Sequence, residues 1–187
     1  MALTQRRGLG LEEFLKLPEE EPALEFEEGM VSRKASPKGK HSGLQAELVE
    51  RFNRFARPGK LARAFTELRS SFSGRSYVPD VSVYRWERMP VDEAGEVAND
   101  FIEAPDIAVE IVSPEQSVNA QVRRCLWFVA NGVGAALLVD PADHSVLLFR
   151  QGEPPQPLHG SEVIEFGDLL PGFRLGLQEL FDSLKLT

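Results

Sequence analysis

The sequence predicts an α/β or α+β fold, a mixed β-sheet with helices on its faces and a β-hairpin in front. Segments with a strand's two-residue period, such as "VPDVSVY" (78–84), and continuous apolar runs, such as "DIAVEIV" (106–112), recur along the chain. Two longer segments, 42–56 and 115–131, place apolar residues at helical spacing instead. The resulting order is helix, strand, strand, strand, helix, strand. A length of 187 residues suits one domain with a sizeable core.

Taken in order, "LEEFLKLP" reads as a short helix with Leu11, Phe14 and Leu15 on one side and Pro18 ending it. "ALEFEEGMVSRK" alternates about Glu28-Gly29, which predicts a hairpin. After the loop "SPKGKHSG", a helix is expected from Ser42, because Ser42 and Gln45 have capping-box spacing. Leu44, Leu48, Val49, Phe52, Phe55 and Ala56 form its apolar face, and Glu47–Arg51 and Glu50–Arg54 are i,i+4 pairs. "RPGK" breaks it. "LARAFTEL" and "YVPDVSVYRW" are strands separated by the turn "SSFSGRS", and residues 87–103 form a long loop.

"DIAVEIV" is apolar enough for a central strand. The helix 115–131 ends at Asn131-Gly132, with Val118, Val122, Cys125, Leu126 and Val129 turned inward. "AALLVD" and "SVLLFR" pair across "PADH", where Asp140-Pro141 is turn-forming. "EPPQP" is a linker to an edge element, and "DLLPGFRLGLQELF" packs back as a turn and short helix. The single domain 1–187 divides into an extension (1–40), a core (41–150) and a C-terminal extension (151–187).

No apolar run approaches the roughly 20 residues of a membrane span. The N-terminal stretch lacks a signal peptide's apolar core, and the single cysteine, Cys125, allows no intrachain disulfide. A cytoplasmic location is the expectation. Net charge is −8 but unevenly spread: residues 33–75 hold 11 basic and 3 acidic side chains, against −5 before them and −11 after. That block is either an anion-facing surface or a solvated helix face with scattered arginines.

Glu110 stands in an apolar strand, where an ionised carboxylate is costly unless paired or metal-bound. Asp80, Ser82 and Tyr84 share one face of their strand, and Ala108, Glu110 and Val112 share one face of theirs. If the strands are neighbours, Asp80 and Glu110 meet. Two carboxylates so placed repel each other unless a cation lies between them, and oxygen donors favour Mg²⁺. The plainer readings are a strand-end aspartate at Asp80 and an ion pair of Glu110 with Arg123 or Arg124.

"PD" at 79–80 followed by "ExV" at 110–112 resembles the PD-(D/E)XK nuclease signature. With "LEEFLKLPEEEP", "LEFEEGMV", "SPKGKH", "APDIAVEIVSP", "NGV", "LLVDP" and "LLPGFRL" in order, the chain resembles the Uma-two restriction endonuclease family. The resemblance implies a restriction-endonuclease-like fold. It also implies a divalent ion, Mg²⁺ or Mn²⁺, held by Asp80, Glu110 and the backbone carbonyl of Ile111. Glu25 becomes an accessory carboxylate, Gly29 the hairpin turn, and His41 a phosphate contact.

The usual lysine of the third signature position is Val112 here, and the family's lysine on the following helix corresponds to Arg124. Ala120 stands where relatives have an acidic residue. Arginine stays protonated and can bind a scissile phosphate but cannot take a proton from water. The expected activity is therefore metal-dependent DNA hydrolysis with Asp80, Glu110 and Arg124 catalytic. Lys38, Lys40, His41 and Arg75 would hold the backbone of double-stranded DNA, and a homodimer would cut both strands. A nuclease-fold module that binds nucleic acid without cutting is the alternative, and a glycosidase is a third reading that the few aromatics disfavour.

Overall fold

Apolar alternation becomes a layered sheet in the computed structural model, which describes residues 8–114 and 116–186. Arg6 and Arg7, and Glu115 at the expected start of the second long helix, lie outside the described residues. One helical turn, α1 (Leu11–Phe14), precedes the hairpin of β1 (Leu24–Glu27) and β2 (Met30–Arg33). Its turn is Glu28-Gly29, both at positive φ (50° and 78°), conformations that glycine adopts without strain and that match the twist of paired strands. Then come α2 (Gly39–Ala56), β3 (Ala62–Thr66), β4 (Ser70–Phe72), β5 (Arg75–Tyr77) and β6 (Val81–Arg85). The chain continues through β7 (Ile107–Ile111), α3 (Val118–Ala130), β8 (Ala135–Asp140), β9 (Ser145–Arg150) and β10 (Gln156–His159). It ends in β11 (Val163–Glu165), β12 (Arg174–Gly176) and α4 (Leu177–Asp182).

The main sheet has the order β10-β9-β8-β7-β6-β3. Only β7 and β8 are parallel, and α3 is the crossover that a parallel pair requires. One face carries Val81, Val83, Ile107, Val109, Ile111, Leu137 and Val139 against α2 and the C-terminal elements. The other carries Ala108, Val112, Ala136, Leu138 and Phe149 against Cys125, Phe128 and Val129 of α3. The sheet is thus covered on both faces, the mixed α+β architecture expected. No helix among the described residues is long and apolar enough to cross a membrane.

Three local expectations change. "SSFSGRS" is more than a turn: β4 and β5 form a second hairpin about Ser73-Gly74 and join β1 in the separate sheet β2-β1-β5-β4. Its serines are paired inside, Ser71 donating to Ser76 at 2.9 Å and Ser70 meeting the Tyr84 hydroxyl at 2.9 Å, so a polar composition conceals buried strands. Helix α2 starts at Gly39, with Lys38 at the N-cap position and no side-chain capping bond there. Gln45, expected in a capping box, is buried. On α3 the inward stripe is Gln121, Cys125, Phe128 and Val129, leaving Val118 and Leu126 exposed. The helix is rotated because Phe128 offers the larger surface to the sheet and to Phe72 and Tyr77.

Candidate active site

Register brings the two carboxylates together. Strands β6 and β7 are antiparallel with Val81 opposite Val109, which sets Asp80 opposite Glu110 one step along. The Ile111 N–H donates to Asp80 Oδ2 at 2.6 Å, fixing the crossing. Glu110 turns towards α3 and Asp80 towards His41 and Lys34, and the two residues are only 3% and 2% exposed.

Three other elements close over them. Lys34 continues the β2 ladder, its N–H bonding Ala23 O at 2.8 Å. Its buried Nζ lies 2.7 Å from Asp80 Oδ1 and donates to Val78 O at 2.5 Å. Glu67 Oε1 is 3.9 Å from the same nitrogen. His41, in the first turn of α2, places Nε2 3.0 Å from Asp80 Oδ2, while its buried Nδ1 has no hydrogen-bond partner among the described residues. Gln45, one turn on, donates to Asp80 O at 2.8 Å and to Glu67 Oε1 at 3.3 Å.

On the far side, Arg124 of α3 grips Glu25 of β1 through both nitrogens, at 2.6 and 3.1 Å. It reaches Glu110 Oε1 at 3.4 Å, and its guanidinium lies 4.6 Å from the Tyr77 ring centroid. Glu25 also accepts the Val78 N–H at 3.1 Å.

Burial is the largest influence on each group, and the outcome depends on the partners. Burial alone would raise Asp80, but the His41 hydrogen bond and the Lys34 charge hold it below the usual carboxylate value. Lys34 would be lowered by burial, yet Asp80 and Glu110 keep its pKa above the ordinary lysine value. Burial pushes Glu110 up to about 8, with Asp80 adding to the rise against the opposing charges of Arg124, 3.4 Å away, and Lys34. Burial likewise raises the Cys125 thiol, consistent with a core residue.

Among the described residues no three His, Cys, Asp or Glu side chains form a ready ion cage. The donor chemistry nevertheless fits a hard divalent ion. Apart from His41, three carboxylates (Asp80, Glu110, Glu25) face two cations (Lys34, Arg124), so Glu110 has the weakest share of positive charge and is the group whose ionised form an added cation would favour. Oxygen donors with waters completing the shell are what Mg²⁺ takes.

Of the expected site residues, Asp80, Glu110, Glu25, His41 and Arg124 come together, and Ile111 contributes its N–H. The guanidinium of Arg124, expected on the phosphate, is engaged with Glu25. His41, expected on a phosphate, is buried against Asp80. Lys38 and Lys40 are exposed at the start of α2. Arg75 is held by Glu27, Glu28 and the Tyr77 hydroxyl, with its guanidinium 4.7 Å from the Trp127 ring centroid. Lys34, Gln45 and Tyr77 were not foreseen. Lys34 carried no signal, since it is 46 positions from Asp80 in an ordinary strand end. Gln45 was spent on the capping box.

The Uma2 family model, described as "Putative restriction endonuclease", matches residues 11–178. A crystal structure of a putative nuclease belonging to DUF820 from Anabaena variabilis ATCC 29413 is similar, with 38% identity and a TM-score of 0.91 over 95% of this chain and 100% of that one. A chain of the DrdV–DNA complex aligns over 76% of this chain and 80% of its own at 14% identity and a TM-score of 0.39, too distant to bear on the fold or the site. No curated protein matches. The family match spans most of the chain and includes both carboxylate-bearing strands, and this chain belongs to the Uma2 family of restriction endonuclease-like proteins.

Proposed function

We propose that this protein hydrolyses phosphodiester bonds of double-stranded DNA, with Mg²⁺ or Mn²⁺ held by Asp80, Glu110 and the backbone carbonyl of Ile111. The observation that carries the reading is the register setting Asp80 against Glu110 in a chain of a nuclease family. Such an ion supplies Lewis acidity and a water acidic enough to attack at neutral pH. The protein's own groups do the rest. His41 and the Ile111 N–H orient Asp80. Arg124, braced by Glu25 and Tyr77, orients Glu110 and offsets its charge. Lys34 lines a cleft of about 260 Å³ and presents the ammonium nearest to an entering phosphate. Lys38 and Lys40 hold the DNA backbone beside it, and Arg75 can join them by exchanging Glu28 for a phosphate. Cutting both strands takes two such sites, which makes a two-fold homodimer the working assembly.

The non-cutting module is the second reading, and one observation favours it: Lys34 and Arg124 already engage both carboxylates. Cleavage separates the two. Supercoiled plasmid and linear duplex, at low salt with Mg²⁺ or Mn²⁺, should be nicked by wild type, and chelator or Glu110→Gln should abolish it. Asp80→Asn is the poorer control, because losing that charge leaves a buried lysine uncompensated and costs about 3–5 kcal/mol. DNA retention without cutting, indifferent to Glu110→Gln, would establish the binding module instead.

A further inference from the structure

We propose that Lys34 is a two-position gate on the ion site, its ammonium occupying the Asp80 oxygen that a divalent ion would take and moving out to Glu67 when the ion enters. The inference rests on the reading of Asp80 and Glu110 as ion-holding carboxylates.

The inner position is a built one. Nζ sits 2.7 Å from Asp80 Oδ1 and 2.5 Å from Val78 O, with a side chain only 6% exposed. Asp80 Oδ2 is already committed to the Ile111 N–H and His41 Nε2. A carboxylate offers about four lone-pair directions in all, so Oδ1 is the oxygen an ion must use, and Lys34 is on it. Two cations cannot share that oxygen at contact distance without strong repulsion in so buried a place.

The outer position is equally specific. Glu67 Oε1 lies 3.9 Å from Nζ, and its side chain is 37% exposed. Glu67 is at positive φ (48°), and its N–H bonds Asp80 O at 3.3 Å. Gln45 bridges the Glu67 carboxylate to that same Asp80 carbonyl. The second acceptor is therefore tethered to the residue the lysine must leave. A lysine on a flexible four-carbon stem can shift between the two acceptors without backbone movement. Lys34 and Glu67 both line the cleft formed with Glu21 and Ser36, so the outward move carries the ammonium towards the route by which an ion or phosphate arrives.

Mn²⁺ binding to the full chain, read by electron paramagnetic resonance of free Mn²⁺ and by calorimetry without DNA, tests the gate. Lys34→Met and Lys34→Gln should both bind Mn²⁺ at least about tenfold more tightly than wild type, within the range usual for coupling between two sites. Glu67→Gln, which removes the outer position without touching the ion, should weaken binding about threefold or more by the same coupling. Mn²⁺ should also raise the unfolding temperature of the Lys34 variants more than that of wild type. If the methionine variant does not fold, the glutamine variant, which keeps a hydrogen-bonding side chain, decides.

Equal or weaker Mn²⁺ affinity in the Lys34 variants overturns the gate, as does failure of both wild type and variants to bind millimolar Mn²⁺. DNA cleavage is read separately. A chain that cuts but whose Lys34 variants bind Mn²⁺ like wild type loses only the gate. One that shows the binding pattern but cuts nothing loses only the proposed hydrolysis.

Discussion

At Glu110, desolvation and the Arg124 charge act in opposite directions, and desolvation prevails, leaving the carboxyl titrating at about 8. An unfolded glutamate titrates near 4.3, roughly. As pH rises from that value towards 8, the unfolded chain has lost this proton while the folded chain retains it. Stability therefore falls with pH across that window and levels off above it. Removing the titration removes the loss. In chelator, Glu110→Gln should unfold at nearly the wild-type temperature at pH 4.5. By pH 8 it should unfold a few degrees higher, about 2–4 °C for each kcal/mol gained in a chain of this size. The change leaves Arg124 paired, since Glu25 holds it through both nitrogens. Parallel melting-temperature profiles for the two proteins would contradict this account. The prediction contrasts with Asp80, whose partners keep it ionised. Two facing carboxylates are thus given opposite proton affinities by unequal shares of the available cations.

At the scale of elements, the β1–β2 hairpin is docked by charge as much as by backbone pairing. Only Phe26–Ser76 registers β1 on β5, whereas Glu25–Arg124, Lys34–Asp80 and the Arg75 contacts with Glu27 and Glu28 tie the hairpin to the site. Arg124→Ala should therefore raise amide exchange in residues 24–33 by at least about tenfold, the signature of easier local opening. Exchange in β7 and β8 should change little. Uniform loss of protection across the sheet would mean that Arg124 supports the whole fold rather than the hairpin. This dependence also explains which parts of the site were legible. The facing of Asp80 and Glu110 followed from alternation in two neighbouring strands, and the hairpin turn from Glu28-Gly29. Lys34 was hidden because its contact depends on how a separate hairpin seats on the sheet, which no local period encodes. The β4–β5 hairpin was hidden because, beside Phe72 and Tyr77, its buried residues are serines, Ser71 bonded to Ser76 and Ser70 to Tyr84. The inward face of α3 was misjudged because Gln121 is buried while Val118 and Leu126 are not, a rotation set by Phe128 and invisible to a count of apolar residues.

For the whole molecule, the basic side chains carried by α2 are spread along a helix of 18 residues, about 27 Å at 1.5 Å per residue. Arg54 and Arg57 lie at the end remote from His41, and Lys38 and Lys40 lie beside it. Much of the remaining positive charge is matched internally: Arg33 by Glu20, Arg51 by Glu47 and Glu179, Arg69 by Glu19, and Arg75 by Glu27 and Glu28. With a net charge of −8, the acidic remainder repels a polyanion. DNA attraction must then come from the few cations near the site rather than from the block as a whole. Fluorescence anisotropy of a labelled duplex across a salt series distinguishes the two ends. Replacing Lys38 and Lys40 together by alanine should weaken binding on every sequence and reduce the slope of log affinity against log salt by about two. Replacing Arg54 and Arg57 removes the same formal charge from the opposite end of the helix and should leave that slope nearly unchanged. Equal losses from both pairs would mean that DNA responds to overall charge alone, and the orientation that brings a phosphate to Lys34 would have no support.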